Sequence, residues 1–331
     1  MKAAYVVDGA IRVGEVPEPT PGHGQALVRT HACGMCASDL HFLHSGQKVI
    51  DLSRQHGGAY AGLDMGRPFV PGHEYVGEVL DYGPGSRRAV KPGRKVTSIP
   101  IMRQQGAHAV VGFSHECPGG YGELMLLDED MLLELPEGLP DAYAAMTEPL
   151  AVGLEHARRG RPTADDTALV VGCGAIGLGV IVGLKLMGIA PIVAADFSPE
   201  RRAMALRMGA DLALDPRETS PYGELAELGK RRVNLVYECA AFDARIVIGG
   251  YCMEPESLYV FAAQNKRLTV HFAGGEEPQD MALAARTIAD GKIDIAGWVG
   301  AEIGLEGVAA AMAGLASREA PVRTVIDPRR L

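Results

Sequence analysis

Ala168-Leu169-Val170-Val171-Gly172-Cys173-Gly174-Ala175-Ile176-Gly177 is an apolar, β-branched run that enters a G-x-G-x-x-G pattern. The pattern alone is a weak signal, and its surroundings give it weight. A strand precedes it and a helical pattern from about Ala175 to Met187 follows. Gly188 stands where that helix would be capped, and a second apolar strand, Ile192 to Ala195, ends in Asp196. Asp196 lies 19 residues beyond Gly177, close to the roughly 20 expected of a carboxylate that takes ribose hydroxyls. Gly172 and Gly174 let the backbone turn and approach a pyrophosphate. Ala175, Ile176 and Gly177 open the helix whose positive end would hold it. The competing reading is a tight strand-to-helix turn without a ligand. A carboxylate at 196 would repel a 2′-phosphate, which favours NAD over NADP, although Arg201 and Arg202 stand close by as candidate phosphate contacts.

Outward from this turn, strands alternate with helices from about residue 153 to 274. Strands are read at Thr167 to Val171, Ile192 to Asp196, Leu212 to Leu214, Val233 to Cys239, Arg245 to Gly249 and Leu268 to Phe272. Parallel, doubly wound packing is the usual result, so the fold class is α/β. Residues 1 to 152 are strand-rich, with turns at Pro17 to Gly24, Gly83 to Gly85 and Pro136 to Pro140, and read as a mostly β domain. After 275, Pro278 to Asp290 and Gly304 to Leu315 carry helical spacing, and a strand, Arg323 to Ile326, closes the chain.

The β-rich part carries a second cluster. Gly34-Met35-Cys36-Ala37-Ser38-Asp39-Leu40-His41 is followed by Gly72-His73-Glu74. A thiolate, an imidazole and a carboxylate are donors that zinc accepts, so Cys36, His73 and Glu74 are candidate ligands of an open zinc site. Cys33-x2-Cys36 also has the spacing of a thioredoxin-like redox pair.

Zinc-type residues followed by a dinucleotide fingerprint resemble the zinc-dependent medium-chain alcohol and polyol dehydrogenases, along nearly the whole chain. Pro71 to Val79 is similar to the family's G-H-E signature. Val90-Lys91-Pro92-Gly93-Arg94-Lys95-Val96 resembles its following strand and turn, and Glu148-Pro149-Leu150 the form with a glutamate as third zinc-site residue. The resemblance implies a GroES-like catalytic domain, a Rossmann cofactor domain and a tail, 275 to 331, that returns to the catalytic domain. It also implies one catalytic zinc on Cys36 and His73 with Glu74 or Glu148, and transfer of a hydride between an alcohol and NAD in the cleft between domains. Ser38 would relay the alcohol proton to His41, Asp39 would orient His73, Gly249 would lie beside the nicotinamide, and Arg323 would reach the pyrophosphate. A homo-oligomer, dimer or tetramer, is implied as well. The glutamate form shifts the expected substrate towards polyols, sugars or amino alcohols.

Two features depart from the family pattern. The cluster of four cysteines that holds a structural zinc is missing, with only Cys117 between Val96 and Tyr121, so no structural zinc is expected; His108, His115 and Cys117 could in principle form another site. His44 and His56 read as surface-loop histidines on an insertion, 42 to 66, that could border the substrate cleft. The second departure is that only Ala240 to Ala244 separate two strands that should be parallel neighbours, whereas a parallel crossover takes about a dozen residues or more. Either a helical segment is missing there or the second strand reverses as a hairpin.

At 331 residues, 47% hydrophobic and 22% charged, the chain has core enough for two domains. The net charge of -9, with no block of Lys and Arg longer than a pair, argues against nucleic acid or an anionic membrane as partner. No signal-like segment opens the sequence and the six cysteines are scattered, from which a cytoplasmic protein is expected. Two other classes remain: a zinc-free NADP-dependent quinone or enone reductase of the same fold, and a non-catalytic nucleotide-binding protein. The first should lose Cys36, His73 or Glu74, and the second Ser38 or His41. All five are present.

Overall fold

The computed structural model describes residues 1–104, 107–220, 235–237, 245–250, 263–264, 267–315 and 321–330. The chain packs as two units, Met1–Glu148 with Ala285–Asp290 and Trp298–Leu331, and Pro149–Ala284 with Gly291–Gly297.

The first unit opens with a hairpin of β1 (Lys2–Val7) and β2 (Ala10–Glu15), turned at Asp8 and Gly9, which both have positive φ. β3 (Gln25–Gly34) alternates inward Ala26, Val28 and Thr30 with outward neighbours, the period-2 pattern of a half-buried strand. It pairs antiparallel with β4 (Glu74–Tyr82), which pairs with β5 (Lys95–Ser98). Between β3 and β4 the chain forms α1 (Ala37–His56), whose buried Phe42, Gly46, Ile50 and Ser53 recur at helical spacing. Phe42 and Ile50 pack with Val6, Phe69 and Phe113. The helix ends at Gly57, φ 79°, whose N–H returns to the Ser53 carbonyl, and it kinks at Ser45. His44 and His56 are therefore exposed as expected, but on a helix and not a loop. The glycine and serine content suggested a loop; the stripe of apolar residues prevailed.

β6 (Ile101–Gln104) and β7 (Ala107–Val110) form a hairpin where the cysteine-rich lobe is missing. His115 is not available to a metal there. Its Nε2 accepts from the Asp64 N–H and its Nδ1 faces the Pro68 carbonyl, each at 3.1 Å. β8 (Leu124–Asp128) pairs with β3, β9 (Leu132–Glu134) pairs with β5, and a single helical turn, α2 (Asp141–Ala144), follows.

The second unit contains most of α3 (Thr147–Arg159) and a parallel sheet of β10 (Ala168–Val171), β11 (Ile192–Ala195), β12 (Leu212–Leu214), β13 (Leu235–Tyr237), β14 (Arg245–Ile248) and β15 (Thr269–Phe272). The order β12-β11-β10-β13-β14-β15 reverses between β10 and β13, as in a doubly wound Rossmann sheet. β13 and β14 are parallel, which overturns the hairpin alternative; their connection, where a helix looked missing, lies outside the described residues. α4 (Ala175–Leu186) is buried along most of its length, and a Cβ on Gly153 of α3 would fall 2.5 Å from the Gly179 backbone of α4. Glycine at both positions is what lets the two helices touch. α5 (Pro199–Met208) is N-capped by Ser198, with Pro199 in its first turn.

α6 (Pro278–Ala289) and α7 (Val308–Gly314) bracket β16 (Val299–Ile303), and β17 (Arg323–Ile326) follows. β16 and β17 complete the sheet of the first unit, in the order β16-β17-β3-β4-β5-β9.

Candidate active site

Sheet register brings the first unit's cluster together. Gly34, the last residue of β3, pairs with Glu74, the first of β4, so Cys36 at the start of α1 comes beside His73. A Cβ on Gly34 would lie 2.4 Å from Glu74 Oε2, so any side chain here must displace the Glu74 carboxylate. β17 pairs with β3 on its other side, and the Met35 N–H donates to the Thr324 carbonyl, which delivers Arg323 to the same spot.

One donor atom each of Cys36, His73 and Glu74 lies within 4.8 Å of the others, the group of this kind among the described residues. Ligand atoms around a tetrahedral zinc stand roughly 3.5 Å apart, so binding needs a contraction of at most about 1.3 Å. Asp39 and Glu148 are also buried. Glu74, Cys36 and Glu148 act on Arg323, and Asp39 and Cys36 on His73, so among the described residues the site gathers acidic donors of the kind a divalent ion takes. Burial works against a charge on His73, but Asp39 and Cys36 outweigh it and its pKa is raised well above the usual value.

Arg323 differs from its expected role. Its Nε donates to Glu74 Oε2 at 2.8 Å, its Nη2 to Oε1 at 2.7 Å, and Nη2 lies 3.9 Å from Cys36 Sγ. The guanidinium expected at the pyrophosphate is thus buried against the zinc-type residues, because β17 runs beside β3. Glu148 stands in the first turn of α3, outside the 4.8 Å group, yet its charge acts on Arg323 and Tyr75.

Ser38 Oγ is 3.4 Å from His73 Nε2, and His41 is exposed one turn further along α1. Asp39 accepts the Cys36 N–H on Oδ2 at 2.9 Å, while its Oδ1 faces His73 Nδ1 at 3.7 Å. Cys33 is fully buried and its thiol is pushed well up, first by burial and then by Asp39. A redox thiol needs the opposite shift.

In the second unit, Gly172 has φ 86° and Gly174 caps α4 with an extended backbone. Among the described residues a Cβ on either would meet no atom within 4 Å, which leaves open space beside Ala175 and Ile176 at the helix N-terminus. At Gly177 a Cβ would lie 1.9 Å from the Gly172 carbonyl oxygen, so the third glycine serves close packing. Asp196 Oδ2 accepts the Cys173 N–H at 2.7 Å and Oδ1 the Ser198 N–H at 2.8 Å. Each oxygen keeps a lone pair for a ribose hydroxyl. Cys173 is pushed up to about 12 by burial and by Asp196. The Arg201 Nε is buried without a hydrogen bond among the described residues, whereas Arg202 is spent on the Asp196 and Phe197 carbonyls and on Asp215. Gly249 packs on buried His156, where a Cβ would be 2.1 Å from the ring.

Sequence reasoning missed three participants. Tyr121, His156 and the Glu74 pairing of Arg323 carry no local signal, since each depends on a contact between distant segments. The glycines around Tyr121, at 119, 120 and 122, were the one hint of close packing there.

Residues 22–137 match the family model of the alcohol dehydrogenase GroES-like domain, and 175–290 that of the zinc-binding dehydrogenases. The (R,R)-butanediol dehydrogenase of Bacillus subtilis (strain 168) is 33% identical over 237 residues, 69% of this chain and 67% of that protein. An erythritol/L-threitol dehydrogenase of Mycolicibacterium smegmatis is 32% identical over 62% of this chain and 60% of its own length. Among solved structures, 2R,3R-butanediol dehydrogenase from Bacillus subtilis superposes with a TM-score of 0.83, at 26% identity over 99% of both chains. The chain belongs to the zinc-dependent medium-chain alcohol and polyol dehydrogenases.

Proposed function

We propose that the chain is an NAD-dependent dehydrogenase that oxidises a hydroxyl of a small diol or polyol, with Cys36, His73 and Glu74 holding one zinc ion. The observation that carries this reading is the convergence of a thiol, an imidazole and a carboxylate within 4.8 Å. The relatives named for butanediol and for erythritol or threitol support a substrate with more than one hydroxyl. Zinc, when bound, acts as a Lewis acid that lowers the pKa of an alcohol. Around it the chain's own side chains divide the work. Ser38 Oγ takes the alcohol proton as it gives up its own hydroxyl proton, which His41, three residues along the same helix and exposed, passes to solvent. Arg323 offsets the charge of Glu74 and Cys36. Asp196 takes the ribose hydroxyls, and the open space over Gly172 and Gly174 takes the pyrophosphate. The protein is read as cytoplasmic and as a homo-oligomer; among the described residues no helix is long and apolar enough to cross a membrane.

Metal analysis of the purified protein, with a panel of diols, polyols and simple alcohols assayed with NAD and NADP, tests the proposal. Cys36→Ser should remove metal and turnover together, and Asp196→Ala should weaken NAD and relax discrimination against NADP. A metal-free protein with full activity would overturn the zinc assignment. A wild type that prefers NADP would overturn the role of Asp196.

A further inference from the structure

Tyr121 binds both segments that carry the candidate ligands, and it does so in three ways. Its N–H donates to the Pro71 carbonyl at 3.1 Å, and the neighbouring Gly120 N–H to the Gly72 carbonyl at 2.9 Å. Its ring covers Gly72, whose φ is 101° and where a Cβ would lie 2.5 Å from Tyr121 Cδ1. Its hydroxyl, at the far end of a fully buried side chain, donates to Asp39 Oδ2 at 2.8 Å. Burial and the Asp39 charge push the phenol pKa well above its usual value, so the hydroxyl stays a donor.

Asp39 is consequently held by one oxygen. Oδ2 receives both the Tyr121 O–H and the Cys36 N–H, which leaves Oδ1 turned to His73 Nδ1 at 3.7 Å. Oδ1 and Nδ1 are both buried, and neither has a hydrogen-bond partner among the described residues. An unpaired buried acceptor facing an unpaired ring nitrogen is a costly arrangement in which closing by less than about 1 Å satisfies both groups. A proton on Nδ1 leaves the Nε2 lone pair, on the Ser38 side of the ring, for a metal.

We propose that Tyr121 is a positioning residue for the metal centre. Its hydroxyl fixes the rotamer of Asp39, and through Asp39 it sets both the tautomer of His73 and the backbone of Cys36. This inference rests on the reading that Cys36 and His73 bind zinc. Tyr121→Phe isolates the hydroxyl, because the ring that covers Gly72 is kept.

The test measures zinc(II) affinity by chelator competition on wild type, Tyr121→Phe, Asp39→Asn and the double variant, together with the visible absorption of the cobalt(II)-substituted proteins. Tyr121→Phe should bind zinc about 10- to 100-fold more weakly and shift the cobalt bands, and in the Asp39→Asn background it should add little. Non-additivity is the signature of action through Asp39, which a general loosening of the fold would not give. Wild-type affinity and an unshifted cobalt spectrum in Tyr121→Phe, with affinity lost in Asp39→Asn, would overturn the role of Tyr121 and leave the metal site standing. Losses that multiply in the double variant would also overturn it. A wild-type protein that takes up no zinc would remove the metal site itself, and this inference with it.

Discussion

The guanidinium of Arg323 lies edge to edge with the carboxylate of Glu74 in two hydrogen bonds of 2.8 and 2.7 Å, with the two residues 8% and 1% exposed. The pair ties the last strand of the chain to the segment that carries His73. Removing one member of a buried ion pair leaves the other charge uncompensated, so Arg323→Ala should lower the unfolding free energy of the metal-free protein by about 3–5 kcal/mol. Arg323→Lys should cost less, since it keeps the charge and loses the two-pronged geometry. Urea unfolding followed by circular dichroism measures both. A loss under about 1 kcal/mol for Arg323→Ala, the size of an exposed pair, would mean that Glu74 is compensated by another group.

Ser38 stands close enough to His73 to share the reacting region, with its Oγ 3.4 Å from the ring Nε2. As a proton relay it should contribute the usual general acid-base factor. Ser38→Ala is expected to lower kcat by about 10²- to 10⁴-fold while the NAD dissociation constant changes little, and Ser38→Thr, which retains the hydroxyl, should recover much of the loss. An unchanged rate at neutral pH in Ser38→Ala would show that the proton leaves by another route.

Asp141 offers a stability test remote from the chemistry. The imidazole of His31, 3.5 Å away, and the Lys95 ammonium at 2.6 Å hold its carboxyl well below the usual carboxylate range. Arg329 adds a third contact at 3.1 Å. A carboxyl with a depressed folded pKa contributes stability that is fully present above its unfolded value, about 3.9, and that is lost as pH falls through the folded value. Asp141→Asn should therefore cost roughly 1–3 kcal/mol at pH 7, and the difference from wild type should shrink below about pH 4. Thermal unfolding across pH 2 to 8 reads this out, and a penalty independent of pH would mean that shape and not charge sets the role of Asp141.

Much of this architecture was legible because it is written in periodicity. The runs at 168–171, 192–195, 212–214 and 323–326 were placed to within a residue, since apolar β-branched stretches bounded by glycine and acidic turns have few other solutions. Cys36, His73 and Glu74 were legible for a different reason: their donor types are uncommon so close together. What periodicity could not supply was partnership across the sheet. In sequence Arg323 is placed by resemblance at the pyrophosphate, and its pairing with Glu74 appears only because β17 lies against β3. The insertion at 42 to 66 reads as a loop because its polar composition outweighs the four buried positions, Phe42, Gly46, Ile50 and Ser53, that make its first part a helix.

The three glycines of the nucleotide turn are different in kind, and two alanine substitutions separate their roles. Gly174 has φ -72° and ψ -175°, a conformation that alanine adopts freely, and a Cβ there meets no atom of the described residues within 4 Å. Gly174→Ala should therefore unfold at the same urea concentration as wild type. The added methyl nonetheless occupies the open space above the helix N-terminus, where a pyrophosphate must approach the backbone closely. NADH affinity, read by the fluorescence of the bound nicotinamide, should fall at least tenfold, or about 1.4 kcal/mol. Gly177 reverses the pattern. A Cβ there lies 1.9 Å from the Gly172 carbonyl oxygen, so Gly177→Ala must move α4 away from the turn that Asp196 holds through the Cys173 N–H. Stability and cofactor binding should then fall together. If Gly174→Ala instead binds NADH like the wild type, the turn is a packing device and the pyrophosphate lies elsewhere.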